Sequence, residues 1–207
     1  MGTDIHGIVE CRWDHWPTGD ETAWDAAISL DHLYDGRSYA AFGALFGVRD
    51  DTSFRPLADH RGLPPDAAAG TVAAYHGWGR DAHGASWITW AELATTDWSE
   101  PATAVDACVH EYRRGPDGAW HFHGRNTSLT RFAGLARIDD PTVLYRAGRT
   151  HPEGTEWPDG DRLFRIARLR RGDAVPEADW GAVWSVMRTL ADRHGPDGVR
   201  LVVWFDC

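Results

Sequence analysis

The chain carries two Asp-x-His pairs, Asp4-Ile5-His6 and Asp81-Ala82-His83. Imidazole with carboxylate suits a divalent ion such as Zn, Mn, Fe or Ni. Asp4, His6, Asp81 and His83 would supply four ligands, and Asp206 near the end of the sequence a fifth. The same residues suit proton transfer without a metal, because a carboxylate that orients a histidine makes it an acid–base group near neutral pH; the plainer alternative is that each carboxylate only fixes a histidine tautomer within the fold. Ser86, close after His83, is a candidate nucleophile. It lacks the Gly-x-Ser-x-Gly setting, and a serine in a turn more often bonds its local backbone. Arg37 and Arg61 are candidate receivers of an anionic group, with a structural pair to a carboxylate the slightly commoner use. Tyr39 and Trp87 could stack on a base or sugar ring, although core packing is the commoner use of either. His121 and His123, with His110 or His151, form a weaker second histidine group. A single site from the two Asp-x-His pairs requires that they meet in space.

Composition narrows the chemistry. All 21 basic residues are Arg, so a lysine Schiff base, a lysine general base and a phosphate loop ending in Lys are excluded. The net charge of -10 argues against broad nucleic-acid binding, which needs a basic surface. Three scattered cysteines, Cys11, Cys108 and Cys207, offer no thiolate zinc framework and suit a reducing compartment. No apolar run approaches membrane-spanning length, and the first residues lack a basic-then-apolar signal. A cytoplasmic protein without a membrane partner is the expectation. The oligomeric state is not legible.

The elements that must position these groups follow from local pattern. Residues 5–11 alternate as a strand, with Asp4, His6 and Ile8 on one face and Ile5, Gly7 and Val9 on the other. The stretch with Trp13, Trp16, Pro17, Gly19 and Trp24 is turn-rich. Asp35 is the expected cap of a helix carrying Tyr39, Phe42, Leu45 and Phe46, with Arg37 at its start. Residues 67–75 are alanine-rich and helical in character. Residues 78–89 show neither period, so an ordered loop is expected, pinned by Trp78 and Trp87 and ending in a Thr89/Glu92 capping box.

Pro101 should begin a helix with a stripe of Val105, Cys108, Val109 and Tyr112. Gly115-Pro116-Asp117-Gly118 is a turn, followed by a short strand from Trp120 to His123. Residues 127–137 suit a helix and residues 143–145 a strand. Residues 151–160 look exposed and weakly structured. Residues 163–169 fit strand or helix. Residues 176–194 form the clearest helix, with Trp180, Val183, Trp184, Met187 and Leu190 on its apolar face. The near-continuous apolar run from Val199 to Asp206 reads as an interior strand. The expected fold is α+β: a single domain over residues 1–207, with a small sheet that includes the N- and C-terminal strands, packed with several helices.

The opening Met1-Gly2-Thr3-Asp4-Ile5-His6 resembles a family of phage and bacterial proteins that usually begins Met-Gly-Cys-Asp-Ile-His. Further matches follow in order: Arg37-Ser38-Tyr39-Ala40-Ala41-Phe42-Gly43, Gly47-Val48-Arg49, Arg61-Gly62-Leu63-Pro64-Pro65-Asp66, and Trp78-Gly79-Arg80-Asp81-Ala82-His83 with Ser86-Trp87-Ile88-Thr89. The last is Val199-Arg200-Leu201-Val202-Val203-Trp204-Phe205-Asp206. Thr3 replaces the usual Cys, so no thiol acts at that position here. The resemblance implies a fold-sized unit and names no reaction. The residues themselves point to a hydrolase acting on a small anionic substrate, phosphorylated or nucleotide-like, through metal-bound or His-activated water. The alternatives are a non-catalytic protein-binding module of phage–host type, and a glycohydrolase or transferase acting on a dinucleotide such as NAD.

Overall fold

The structure, a computed structural model, describes residues 2–13 and 23–207. The stretch around Trp16, Pro17 and Gly19 lies outside them. In chain order the elements are β1 (Asp4–Trp13), β2 (Ala23–Ser29), α1 (Tyr39–Phe46), α2 (Ala69–Gly77), β3 (His83–Thr89) and α3 (Trp90–Ala94). They continue with β4 (His110–Arg114), β5 (Trp120–Arg125), α4 (Leu129–Ala136), α5 (Pro141–Leu144), β6 (Glu156–Asp159), β7 (Arg162–Arg165), α6 (Arg171–Ala174), α7 (Glu177–His194) and β8 (Val199–Asp206). The fold is α+β, as expected, with two four-stranded antiparallel sheets. None of these helices is long and apolar enough to cross a membrane. The residues cluster into two compact units.

The first unit comprises the described parts of Met1–Asp51, with Arg55–Trp98 and Ala174–Cys207. Its sheet has the order β2-β1-β8-β3, so the N- and C-terminal strands are neighbours. β8 is buried along almost its whole length, as its apolar run predicts for a strand paired on both edges. In β1 the burial alternates from Asp4 to Val9, with Ile5, Gly7 and Val9 inward and Asp4, His6 and Ile8 half-exposed. Phe42 and Phe46 of α1 meet Phe205 edge-on, while Tyr75 of α2 meets Trp204. Because neighbours along a strand point to opposite faces, α1 and α2 cover opposite faces of the sheet. Helix α7 buries Trp180, Val183, Met187 and Ala191.

Local chemistry corrects two boundaries in this unit. Ser38, not Asp35, caps α1, its hydroxyl accepting the Ala41 N–H at 3.3 Å. Residues 35–38 therefore stay outside the helix, and Arg37 is free to reach across to β1. Gly47 ends α1 in the left-handed region at φ 73, where a Cβ is disfavoured. The expected loop at residues 78–89 is a turn followed by strand β3. A register shift between His83 and Ser86 breaks the two-residue period, which hides the strand from a pattern reading. The Thr89/Glu92 capping box forms as expected at α3.

The second unit comprises Thr52–Phe54 and Ser99–Asp173. Its sheet runs β5-β4-β7-β6 over a core of Val109, Phe132, Ala147, Phe164 and Ile166. Three expectations are corrected here. No helix forms at residues 101–112: Val109 is core and His110 begins β4, so the apparent stripe came from one buried and three half-buried positions in irregular chain and a strand. Residues 143–145 are not a strand, because Asp140 caps the backbone and Pro141 starts α5. The segment expected to be weak contains β6, paired along β7.

Asp106 is the electrostatic anchor of this unit. Its carboxylate accepts Arg125 Nε at 2.6 Å and the Cys108 N–H at 2.9 Å, and pairs with His110 Nε2 at 2.8 Å. Burial raises its pKa, but the hydrogen bonds from His110 and Arg125 outweigh that and hold it at about 2, below the usual 3.8. The side chain is only 1% exposed, so solvent screens little of this. A depressed carboxylate pKa contributes stability above pH 3.8 that is lost as pH falls towards 2. The contribution is about 2 kcal/mol. Urea unfolding at pH 6 and pH 3 should show this loss in the wild type, and Asp106→Asn should flatten the acid limb while lowering stability at pH 6. An Asp106→Asn protein as stable as wild type at pH 6 contradicts this account.

Candidate functional site

β1 and β8 place the first Asp-x-His pair. Asp4 lies directly across from Asp206, and His6 across from Trp204. The Asp4 N–H donates to Asp206 Oδ1 at 3.1 Å. Facing pairs share a sheet face, so Asp4, His6, Trp204 and Asp206 project together. The His6 ring stacks on Trp78, centroids 4.0 Å apart and planes at 28°. Its Nε2 lies 3.7 Å from Asp206 Oδ1, and its Nδ1 lies 3.7 Å from Asp31 Oδ1. The side chain is 16% exposed, and Nε2 is buried with no hydrogen-bond partner among the described residues. A buried ring nitrogen without a partner is costly, so it marks a place to look for function.

Beside His6 opens a cavity of about 200 Å³ lined by Asp4, Ile5, His6, Asp31, Tyr34, Asp35 and Gly36. Burial pushes the Tyr34 phenol up to about 12, so it stays protonated at neutral pH. Tyr34 also stacks on Trp180, with centroids 4.3 Å apart. The lining is acidic. The carboxylates of Asp31 and Asp35 carry no local signal of a site: Asp35 has the pattern of a helix cap and Asp31 belongs to no motif. Both become neighbours of His6 only through the packing of the segment after β2.

The second pair lies elsewhere. His83 stands across from Phe205 in the β3–β8 register and stacks on its ring, centroids 6.2 Å apart. Trp204 and Phe205 are consecutive in β8 and so point to opposite faces. His6 and His83 are therefore on opposite faces of one sheet and cannot share a ligand. Asp81 is exposed in the turn before β3, and its carboxylate has no partner among the described residues. The expected convergence of Asp4, His6, Asp81, His83 and Asp206 is corrected: Asp4, His6 and Asp206 come together, and Asp81 and His83 do not join them. Among the described residues no group of three or more His, Cys, Asp or Glu has a geometry to hold a metal.

The remaining candidates are each engaged by groups of the protein itself. Arg37 grips Asp4 with two hydrogen bonds, Nε to Oδ1 at 2.6 Å and Nη2 to Oδ2 at 2.5 Å. This fork lowers the Asp4 pKa and raises that of Arg37. Arg61 donates to both Glu92 carboxylate oxygens and to the carbonyls of Trp87 and Leu57, with its guanidinium over the Trp87 ring. Arg61 and Trp87 therefore tie a loop to β3 and α3. The Tyr39 hydroxyl accepts the Thr3 N–H at 3.1 Å. Ser86 is fully buried, donates to the Ala58 carbonyl at 2.5 Å and accepts the Arg61 N–H at 3.3 Å. It has no route to a substrate, so Ser86→Ala should cost about 1–2 kcal/mol of stability while leaving any turnover intact. Measuring both in one preparation tests this, and lost turnover in a stable Ser86→Ala protein would restore the nucleophile reading.

A buried ion pair stands further along the His6 face. Glu10 Oε2 accepts Arg200 Nε at 2.7 Å, Glu10 Oε1 accepts the Ala68 N–H at 2.9 Å, and Arg200 Nη1 donates to Asp66 at 2.8 Å. The Arg200 guanidinium lies over the Trp24 ring at 3.7 Å. A charge at each of two buried strand positions was the available signal, but nothing local says they meet. In the second unit, His121 and His123 are exposed on β5, while His110 is buried against Asp106.

Comparison with family models, curated proteins and solved structures finds no match to this chain.

Proposed function

We propose that the His6 cavity is the catalytic site of a small-molecule hydrolase in which His6 activates water. The observation that carries this is the His6 ring itself, held by Trp78 with a carboxylate facing each nitrogen. The negative charge of Asp206 beside buried Nε2 favours the tautomer with the proton there. Nδ1 is then the free base, and it faces Asp31, which lines the cavity. A gap of 3.7 Å is too long for a direct hydrogen bond and suits a bridging water. Water between Nδ1 and Asp31 would lose its proton to His6 as it attacks. Asp206 would stabilise the imidazolium that forms.

The cavity holds a small group rather than a whole large ligand. A phosphorylated or nucleotide-like substrate would find its cation in Arg37, which must then exchange Asp4 for phosphate; both side chains are exposed enough to do so. A second reading follows from the acidic lining. Asp31 and Asp35 favour a substrate that presents an ammonium or several hydroxyls at the cavity. Turnover of the purified protein on two panels separates them: phosphate esters and nucleotides, against aminoacyl esters and glycosides. Hydrolysis lost on His6→Asn supports the site, and the panel that reacts names the substrate class. Absence of His6-dependent hydrolysis in either panel rejects the proposal.

A further inference from the structure

The opposite face of the same sheet end holds a second chemical cluster. Cys207 Sγ lies 3.1 Å from His83 Nε2, 3.8 Å from Arg49 Nη2 and 3.6 Å from Thr3 Oγ1. Cys207 is exposed. Three separate features of the backbone and core place these groups. The bulge in β3 follows His83, with Gly84 at φ +60, where a Cβ would come within 3.0 Å of Val48. Bulges of this kind re-aim a side chain beside a site. The Phe205 ring supports the imidazole. Arg49 holds φ 54, a left-handed conformation that non-glycine residues disfavour. From there its Nε donates to Thr3 Oγ1 at 2.8 Å and its Nη2 reaches the sulfur. A thiol between an imidazole and a guanidinium is in the electropositive, accessible setting of reactive cysteines. Cys11 is the internal contrast: it is buried, and burial together with Asp25 pushes its thiol up.

We propose that Cys207 is a nucleophilic thiol that hydroperoxides oxidise to a sulfenic acid, with His83 as proton acceptor and Arg49 balancing the charge on sulfur. His83 Nε2 takes the thiol proton. Sulfur attacks the terminal oxygen of the hydroperoxide, so an S–O bond forms as the O–O bond breaks. Sulfur is oxidised by two electrons and the peroxide is reduced. The departing oxygen takes the proton back from His83 and leaves as water or alcohol. The protein product is Cys–SOH.

The test treats the full chain with hydrogen peroxide at neutral pH and traps sulfenic acid with dimedone. Peptide mass spectrometry then reads Cys11, Cys108 and Cys207 in one sample. Cys207 should be trapped on the order of tenfold faster than Cys108. His83→Gln and Arg49→Gln should each slow Cys207 towards Cys108, and Cys207→Ser should abolish the fast signal. Melting curves identify a variant that has lost its fold, and the comparison of the three cysteines in the wild type decides independently of it. Trapping of Cys207 no faster than Cys108, or an unchanged Cys207 rate in a folded His83→Gln protein, overturns the proposal.

Discussion

Replacing His6 with Asn is expected to lower turnover by about 10²- to 10⁴-fold, the usual worth of a positioned acid–base group. The expected loss is in kcat, with KM little changed, because the imidazole works on the proton in flight. Structure should suffer less. Asn keeps a polar group on the Asp4 face and removes the stacked contact with Trp78, a contact worth about 0.5–1.5 kcal/mol. The melting temperature should therefore drop by only a few degrees. Asp206→Asn offers a finer test, since it keeps the shape beside Nε2 and removes the charge that sets the tautomer. Its effect should lie between wild type and His6→Asn. If His6→Asn instead unfolds the protein, or leaves kcat intact, His6 is a packing residue and the proposed site fails.

Replacing Glu10 with Ala should destabilise the protein by about 3–5 kcal/mol, the cost of leaving a buried charge without its partner. Glu10 is 0% exposed and Arg200 3%. The loss is compounded because Glu10 also holds the Ala68 N–H, and Asp66, the other carboxylate on Arg200, is largely exposed. Trp24 would still cover the guanidinium, which makes its desolvation permanent. Replacing both Glu10 and Arg200 with Met should recover much of the loss, because burying the pair is itself expensive. Urea unfolding of the two single variants and the double measures the coupling. A loss under about 1 kcal/mol for Glu10→Ala would show that water or rearrangement satisfies Arg200, against the burial seen here.

Where local pattern and final structure agree, the reason is a short-range cause. The apolar run of β8, the alternation of β1, the Thr89/Glu92 box and the long α7 depend on neighbours within a few residues. Where they disagree, a local exception or a distant partner took over. Ser38 captured the helix start from Asp35 because it stands immediately before Tyr39. The bulge after His83 erased the period of β3. That Arg37 and Arg61 pair with carboxylates is the commoner use of an arginine, but which carboxylates they meet is not legible locally, since Asp4 and Glu92 lie far along the chain.

The amino-acid sequence alone determined which groups exist and how they alternate. Asp4 and His6 share a face of β1, Asp206 closes β8, no lysine chemistry is open, and the fold is α+β with its end strands apolar enough to pair. Only the tertiary structure decided which of these groups meet. The register sets Asp4 against Asp206, His6 against Trp204 and His83 against Phe205. In a strand one step of register exchanges the faces. That single step separates the two Asp-x-His pairs, leaving His6 with Asp31 and Asp206 on one side and His83 with Cys207 on the other.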